Sequence, residues 1–276
     1  MVSVCYISLV GTSLLGNFNR VLGARYRSRY PDFGEWYRLS PSDDRNRIPD
    51  GDVCKALEDR SLIGDMISFV VNERGRSCAE VNGVLGIQSV FGHSPGDVEI
   101  VLLYTKTCSA RLVSKVLVEA FQRLGFQKPL LIELSKIESI DEFDYGLVEL
   151  LDKVFSIVSD RRSRGMRIYI NATPGFKAET AFIVIASMLL GVDAAIYIHE
   201  SFDYPVILPS LPIAIRKEEL EPLLKVFGED NSIHINAFVS ALGDSKLREY
   251  IDKGIVRMKG EEVVIRPWIR YLIEKS

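Results

Sequence analysis

Short, nearly continuous apolar runs alternate along the first three quarters of the chain with longer stretches whose apolar positions recur every three to four residues. The runs are Val2–Val10, Val98–Tyr104, Leu130–Leu134, Met166–Asn171 and Ala194–His199, which read as strands, and the near-continuous Val98–Tyr104 reads as one buried on both faces. Ser61–Asn72, Cys78–Ile87, Ala110–Leu124, Phe143–Arg164 and Phe176–Leu190 carry the helical period. Gly125 closes the third of these helices. Strands alternating with helices predict an α/β fold built on a parallel, doubly wound sheet, with the strand-to-helix loops along one edge. Residues from Arg25 to Asp59 break the alternation. They are polar, punctuated by Pro31, Pro41 and Pro49, and read as an insertion or long connection with some helix near its end.

The alternation stops at Leu208-Pro209-Ser210-Leu211-Pro212, which reads as a linker. Beyond it lie three helix candidates, Lys217–Phe227, Asn236–Leu242 and Asp244–Lys253. A strand pair follows, Ile255–Lys259 and Glu262–Arg266, turning at Gly260-Glu261. Helices followed by a hairpin suggest a small winged-helix domain over residues 212–276, behind an α/β domain over residues 1–211.

Composition adds limits. The 276 residues are 47% hydrophobic and 26% charged, with a net charge of −3. That balance argues against broad, charge-driven wrapping of nucleic acid, and it is also even within 212–276, which disfavours strong DNA binding by the C-terminal domain. A small anion remains compatible, because a few backbone donors suffice for it. Cys5, Cys54, Cys78 and Cys108 are far apart, so neither a disulfide framework nor a metal site is expected. The N-terminus has no basic region or cleavage site of a signal peptide, and the longest apolar run, Ala181–Val192, is too short for a membrane span. A cytoplasmic location is expected.

Two loops carry candidate chemistry. Gly11-Thr12-Ser13-Leu14-Leu15-Gly16-Asn17 follows the first strand, and Asn171-Ala172-Thr173-Pro174-Gly175-Phe176-Lys177-Ala178-Glu179 joins a strand to a helix. Each offers glycine, small hydroxyls and unpaired N–H groups at a helix start, where partial positive charge favours an anion. Both lie at carboxyl ends of strands, where open α/β sheets bind ligands. Neither has the spacing of a dinucleotide fingerprint or a P-loop. A Ser13–Lys177 pair is conceivable in a hydrolase, but nothing else supports acyl transfer. Each residue also has an ordinary use. Ser13 can be a helix cap, Lys177 a solvated first-turn lysine, and Thr12, Asn17 and Thr173 turn residues. Glu80 and Asn82 can orient the first loop or cap their own helix. His199 reads as a structural strand histidine, Arg111 as a helix-surface charge, and the arginines between Arg20 and Arg47 as a solvated face or a cover over a ligand.

GTSLLGN after the first strand resembles the opening of the CARF proteins (CRISPR-associated Rossmann fold). NATPGFKAE, YIHESFDYPVILPSLPI and the Ser77–Asn82 helix start resemble further segments of the same family. The likeness covers roughly residues 1–211 and is strongest to stand-alone archaeal CARF proteins with a C-terminal winged helix, some of which are ring nucleases. Gly16 stands where a Thr is usual. Pro174 stands where a Gly is usual, which removes one backbone N–H.

The resemblance implies a Rossmann-like domain that binds cyclic tetra- or hexa-adenylate across a homodimer, with no cofactor and no metal. Ligand contacts would come from Gly11, Thr12, Ser13, Asn17, Thr105, Lys106, Thr107, Ala172, Thr173, Pro174, Gly175, Phe176 and Lys177. In a ring nuclease Lys177 would stabilise transition-state charge and Ser13 would align the attacking ribose 2′-OH. The alternative is a non-catalytic sensor or transcriptional regulator acting through the winged helix. A messenger-activated HEPN ribonuclease is disfavoured, because none of His93, His199 or His234 has an Arg five to seven residues upstream.

Overall fold

The computed structural model of the protein describes residues 2–47, 51–134, 140–199 and 204–275. Pro49, and residues 200–203 of the tail segment quoted above, fall outside these ranges. The first part runs β1 (Val4–Leu9), α1 (Ser13–Leu22), α2 (Asp52–Lys55), α3 (Arg60–Glu73), α4 (Ala79–Phe91), β2 (Val98–Thr105), α5 (Cys108–Arg123), β3 (Leu130–Leu134), α6 (Ile140–Ser163), β4 (Arg167–Asn171), α7 (Lys177–Leu189), β5 (Ala194–Tyr197) and β6 (Val206–Leu208). The strands form one sheet in the order β3-β2-β1-β4-β5-β6. The first five are parallel and β6 is antiparallel to β5. The architecture is a Rossmann-like, doubly wound α/β sheet.

Strand alternation sorts the core into two layers. Val4 and Tyr6 of β1, with Ile100 and Leu102 of β2, face α3, α4 and α5. Cys5, Ile7 and Leu9, with Val101 and Leu103, face α6 and α7. All six residues of β1 are buried, as its continuous apolar run requires. Val206–Leu208 completes the sheet as an edge strand, so the sheet extends into the stretch read as a linker.

The insertion after α1 is more than a polar connection. Tyr26, Tyr30, Phe33 and Trp36 turn inward and interlock, with ring centroids 4.7 Å apart for Phe33–Trp36 and 5.1 Å for Tyr30–Trp36. Its charges pair on the outside, Arg29 with Asp59 and Arg45 with Asp43. Composition alone hides this, because the aromatics are spaced among charged residues. A second correction concerns the cysteines. Cys54 and Cys108 form a disulfide that ties α2 to the first residue of α5, while Cys5 and Cys78 are buried thiols. The bonded pair is 54 residues apart in sequence, and only the packing of the insertion on α5 brings it together.

The C-terminal elements are α8 (Lys217–Phe227), β7 (Ser232–His234), α9 (Ile235–Leu242), α10 (Asp244–Asp252), β8 (Val256–Lys259), β9 (Glu262–Ile265) and α11 (Pro267–Lys275). Their strands form an antiparallel sheet in the order β7-β9-β8, over a cluster that includes Leu223, Phe227, Phe238 and Val263. Strand β7 and helix α11 have no counterpart in the sequence reading. One is only three residues long, and the other opens on Pro267, which suits a first helical position. Helix α11 packs back on the larger sheet's helices: Leu272 meets Leu151 and Ala186, and Trp268 sits edge-on to Phe182 with centroids 4.9 Å apart.

Closing a loop of this length with a disulfide contributes about 2–4 kcal/mol. Denaturant unfolding with and without dithiothreitol is expected to show a loss in that range, and Cys54→Ser should reproduce it. Equal stability of reduced and oxidised protein would contradict the tether.

Candidate ligand-binding cleft

Strand order reverses between β1 and β4. The loop after β1 leads to α1 on one face of the sheet, and the loop after β4 leads to α7 on the other, which leaves a crevice between them. The loops abut, since a Cβ added at Gly11 would lie 3.5 Å from the Gly175 nitrogen. Beside them opens a cleft of about 980 Å³, at the upper end for a single small-molecule site.

Most of the expected residues meet there. Gly11, Thr12 and Ser13 line the cleft from the first loop, Thr173, Pro174, Gly175 and Phe176 from the second, and Thr105 and Thr107 from the turn before α5. Four do not line it. Asn17 donates from Nδ2 to the Ser77 carbonyl at 2.9 Å, which holds α1 to the start of α4. Lys106 points to solvent, and Ala172 is buried beneath the second loop. Lys177, the first residue of α7, is exposed at the margin and has no ion-pair partner among the described residues. His199 lies just past β5 with its ring against Tyr197, away from the cleft lining.

A buried polar node sets the loop geometry. Asn171 donates from Nδ2 to Ser8 Oγ at 3.0 Å and to the Glu80 carbonyl at 3.1 Å, and its Oδ1 accepts the Thr173 N–H at 3.1 Å. Glu80 Oε1 accepts the Gly11 N–H at 2.6 Å. Of the two roles open to Glu80, orienting the first loop is therefore the one seen. The bond also removes the Gly11 N–H from the set of free anion donors. Ser13 does not cap its own helix: its Oγ accepts the Ala79 N–H at 3.1 Å and so caps α4. Gly175 has φ +104, and a Cβ there would lie 2.6 Å from Leu9 Cδ1, so the second loop needs glycine at that position.

Charge at the site is sparse. Glu179 and Arg266 are the charged residues lining the cleft among the described residues. Burial pushes the Glu179 carboxyl above the usual range, opposed by the Phe176 N–H. Burial likewise pushes Glu80 upward, opposed first by the Gly11 N–H. An anion placed here would meet the backbone donors at the starts of α1 and α7.

Two walls of the cleft are built by residues that the sequence does not single out, and none of the arginines between Arg20 and Arg47 lines it. The insertion supplies Leu39, Pro41, Ser42 and Asn46. Asn46 is 1% exposed, and its Oδ1 accepts the Ser109 N–H at 2.9 Å, which fixes the insertion onto the start of α5. In the sequence it sits within a charged run that reads as surface. The other wall is Phe143 and Arg266. Arg266 is read as the end of a distant hairpin, and nothing in the spacing links it to the loops.

The fold and the cleft at its reversal point define a Rossmann-like protein with a candidate ligand site between the two loops. Residues 75–211, about half of the chain, match the family model described as CRISPR-associated protein (Cas_APE2256). The chain belongs among the CRISPR-associated proteins. The match takes in α4 and the β4–α7 loop, with Glu80, Asn171 and the second half of the cleft.

The buried carboxyls give a pH test. A carboxyl raised above its ordinary value of 4.5 stabilises the fold below that value and gives this up as pH rises through the shifted one. Urea unfolding from pH 4.5 to 8 should therefore show a falling contribution. Glu80→Gln keeps the acceptor for Gly11 without the charge and should flatten the slope, leaving the part due to Glu179. An identical slope in the variant and the wild type would remove Glu80 as its source.

Proposed function

We propose that this protein is a ring nuclease: it binds cyclic oligoadenylate, with cyclic tetra-adenylate as the preferred ring, and cleaves it to switch off type III CRISPR antiviral signalling. The observation that carries this reading is the meeting of two donor-rich helix starts at the reversal point of the sheet, with Ser13 and Thr173 on one cleft. Membership among CRISPR-associated proteins and the residue-level likeness to CARF loops support the choice of ligand.

The step proposed is attack of a ribose 2′-oxygen on the adjacent phosphorus. The 2′-OH proton is lost, the bond to the 5′-oxygen breaks, and that oxygen takes up a proton. The products carry a 2′,3′-cyclic phosphate and a 5′-OH. Ser13 orients the 2′-OH, its Oγ being held in place by the Ala79 N–H. Lys177, exposed and unpaired among the described residues, swings toward the phosphate to offset its developing charge. A two-fold ring suits an isologous dimer in which each protomer offers the same two loops. The exposed stretch Gly175–Lys177 is available to such a shared site.

A second reading is favoured by a separate observation. The C-terminal elements reach the cleft through Arg266 and pack on α7 through Trp268. A binding-only sensor or regulator would use that route to pass ligand occupancy to the C-terminal part, taken as a winged helix. Its balanced charge makes DNA binding at most weak and salt-sensitive.

Incubation with labelled cyclic tetra-adenylate in EDTA, followed by product analysis, separates the two. Linear products ending in 2′,3′-cyclic phosphate are expected. Lys177→Ala should slow cleavage by about 10²–10³-fold and weaken binding less. Ser13→Ala should slow cleavage while costing about 1 kcal/mol of stability, through the Ala79 N–H it leaves unpaired. Tight binding of a ring that stays intact over hours would leave the sensor reading.

Assembly gives an independent check. Light scattering should report twice the 31.0 kDa chain mass, and titration should saturate at one ring per two chains. A monomer that binds one ring per chain would overturn the shared site.

A further inference from the structure

Among the described residues, Arg266 is the one cation that lines the cleft. It belongs to neither loop. It follows β9 in the C-terminal elements, where its backbone N–H donates to the Ile255 carbonyl at 3.0 Å. Its Nη1 donates to both carboxylate oxygens of Asp144 on α6, at 2.9 and 3.0 Å. Asp144 is 1% exposed. Arg266 Nε is buried with no partner among the described residues. A guanidinium presents five N–H donors in a fixed fork, so Asp144 occupies only one nitrogen of a side chain that already forms cleft wall. The groups that match such a fork are carboxylate and phosphate, which offer two oxygens side by side.

We propose that Arg266 is an anion-contact residue of the cleft, and that a phosphate bound there competes with Asp144 for its guanidinium. The proposal deepens the reading of the cleft as an oligonucleotide site and rests on it for the identity of the ligand. It also gives the C-terminal elements a direct share in binding. Phosphate capture loosens the hold of Arg266 on a carboxylate that has no other cation among the described residues. Trp268, two residues on and edge-on to Phe182 of α7, moves with Arg266 and reports the exchange.

Two variants separate ligand contact from a merely structural role. Arg266→Gln removes the cation. Asp144→Asn removes its competitor and leaves the cation in place. Affinities for cyclic tetra-adenylate and for inorganic tripolyphosphate are measured by calorimetry on the full chain, with folding of each variant checked by circular dichroism. Arg266→Gln is expected to weaken both probes at least tenfold. Asp144→Asn is expected to tighten them several-fold. Saturation should also shift tryptophan emission in the wild type, with the shift lost in Trp268→Phe. If Arg266 only braces the C-terminal elements, both variants break the same pair and affinity falls in both, which overturns the proposal. Unchanged affinity in Arg266→Gln overturns it as well. Arg266-dependent binding of tripolyphosphate without binding of the ring would sink the ring reading and keep this one. Binding of neither probe to the wild type would remove both.

Discussion

Everything at the cleft depends on one buried side chain, Asn171, and on the room made for it. Its amide joins β4 to Ser8 of β1 and to the backbone of α4, and its oxygen holds the loop that follows. Glu80, whose carbonyl accepts from Asn171, reaches on to the Gly11 N–H. One chain of hydrogen bonds thus sets both ligand loops relative to each other. Buried polar groups are costly unless paired, so the node is held to a single geometry. It also dictates a glycine elsewhere: a Cβ at Gly83 would lie 1.8 Å from Asn171 Oδ1. Helix α4 can lie this close to β4 only because that position has no side chain.

The parts of the fold legible in the sequence are those governed by local periodicity. Strands such as Val98–Thr105 and helices such as Lys217–Phe227 emerge close to their observed bounds, because burial on two faces or on one stripe writes itself into the spacing of apolar residues. The two loops were legible for a related reason, since glycine, hydroxyls and a helix start lie within a few residues of one another. What stayed hidden depends on contacts across long separations. The Cys54–Cys108 bond, the Asn46 cap on α5 and the approach of Arg266 to Asp144 each join residues whose partners no local pattern names. Lys177 shows the reverse: its sequence neighbourhood marks it for the site, yet its side chain stands at the exposed margin.

The electrostatics of the cleft bear on the proposal that an acidic protein holds a polyanion. Broad positive potential is absent from the composition, and in the structure it is replaced by oriented N–H groups at two helix starts and by one guanidinium. The carboxyls near these groups, Glu80 and Glu179, are buried, and burial raises the pKa of each. On the proposed reading, such a site would recognise the placement of oxygens more than total charge. Selection by placement suits a ring with phosphates at set intervals better than a long nucleic acid, whose affinity would rest on summed charge.

The most direct test of the cleft as the oligoadenylate site is amide hydrogen exchange of the full chain with and without cyclic tetra-adenylate. Protection concentrated in residues 11–15 and 174–180, with no change in the edge strand β3, is the result expected from ligand held on the two helix starts. Protection confined to residues 217–275, or none at saturating ring, would contradict it.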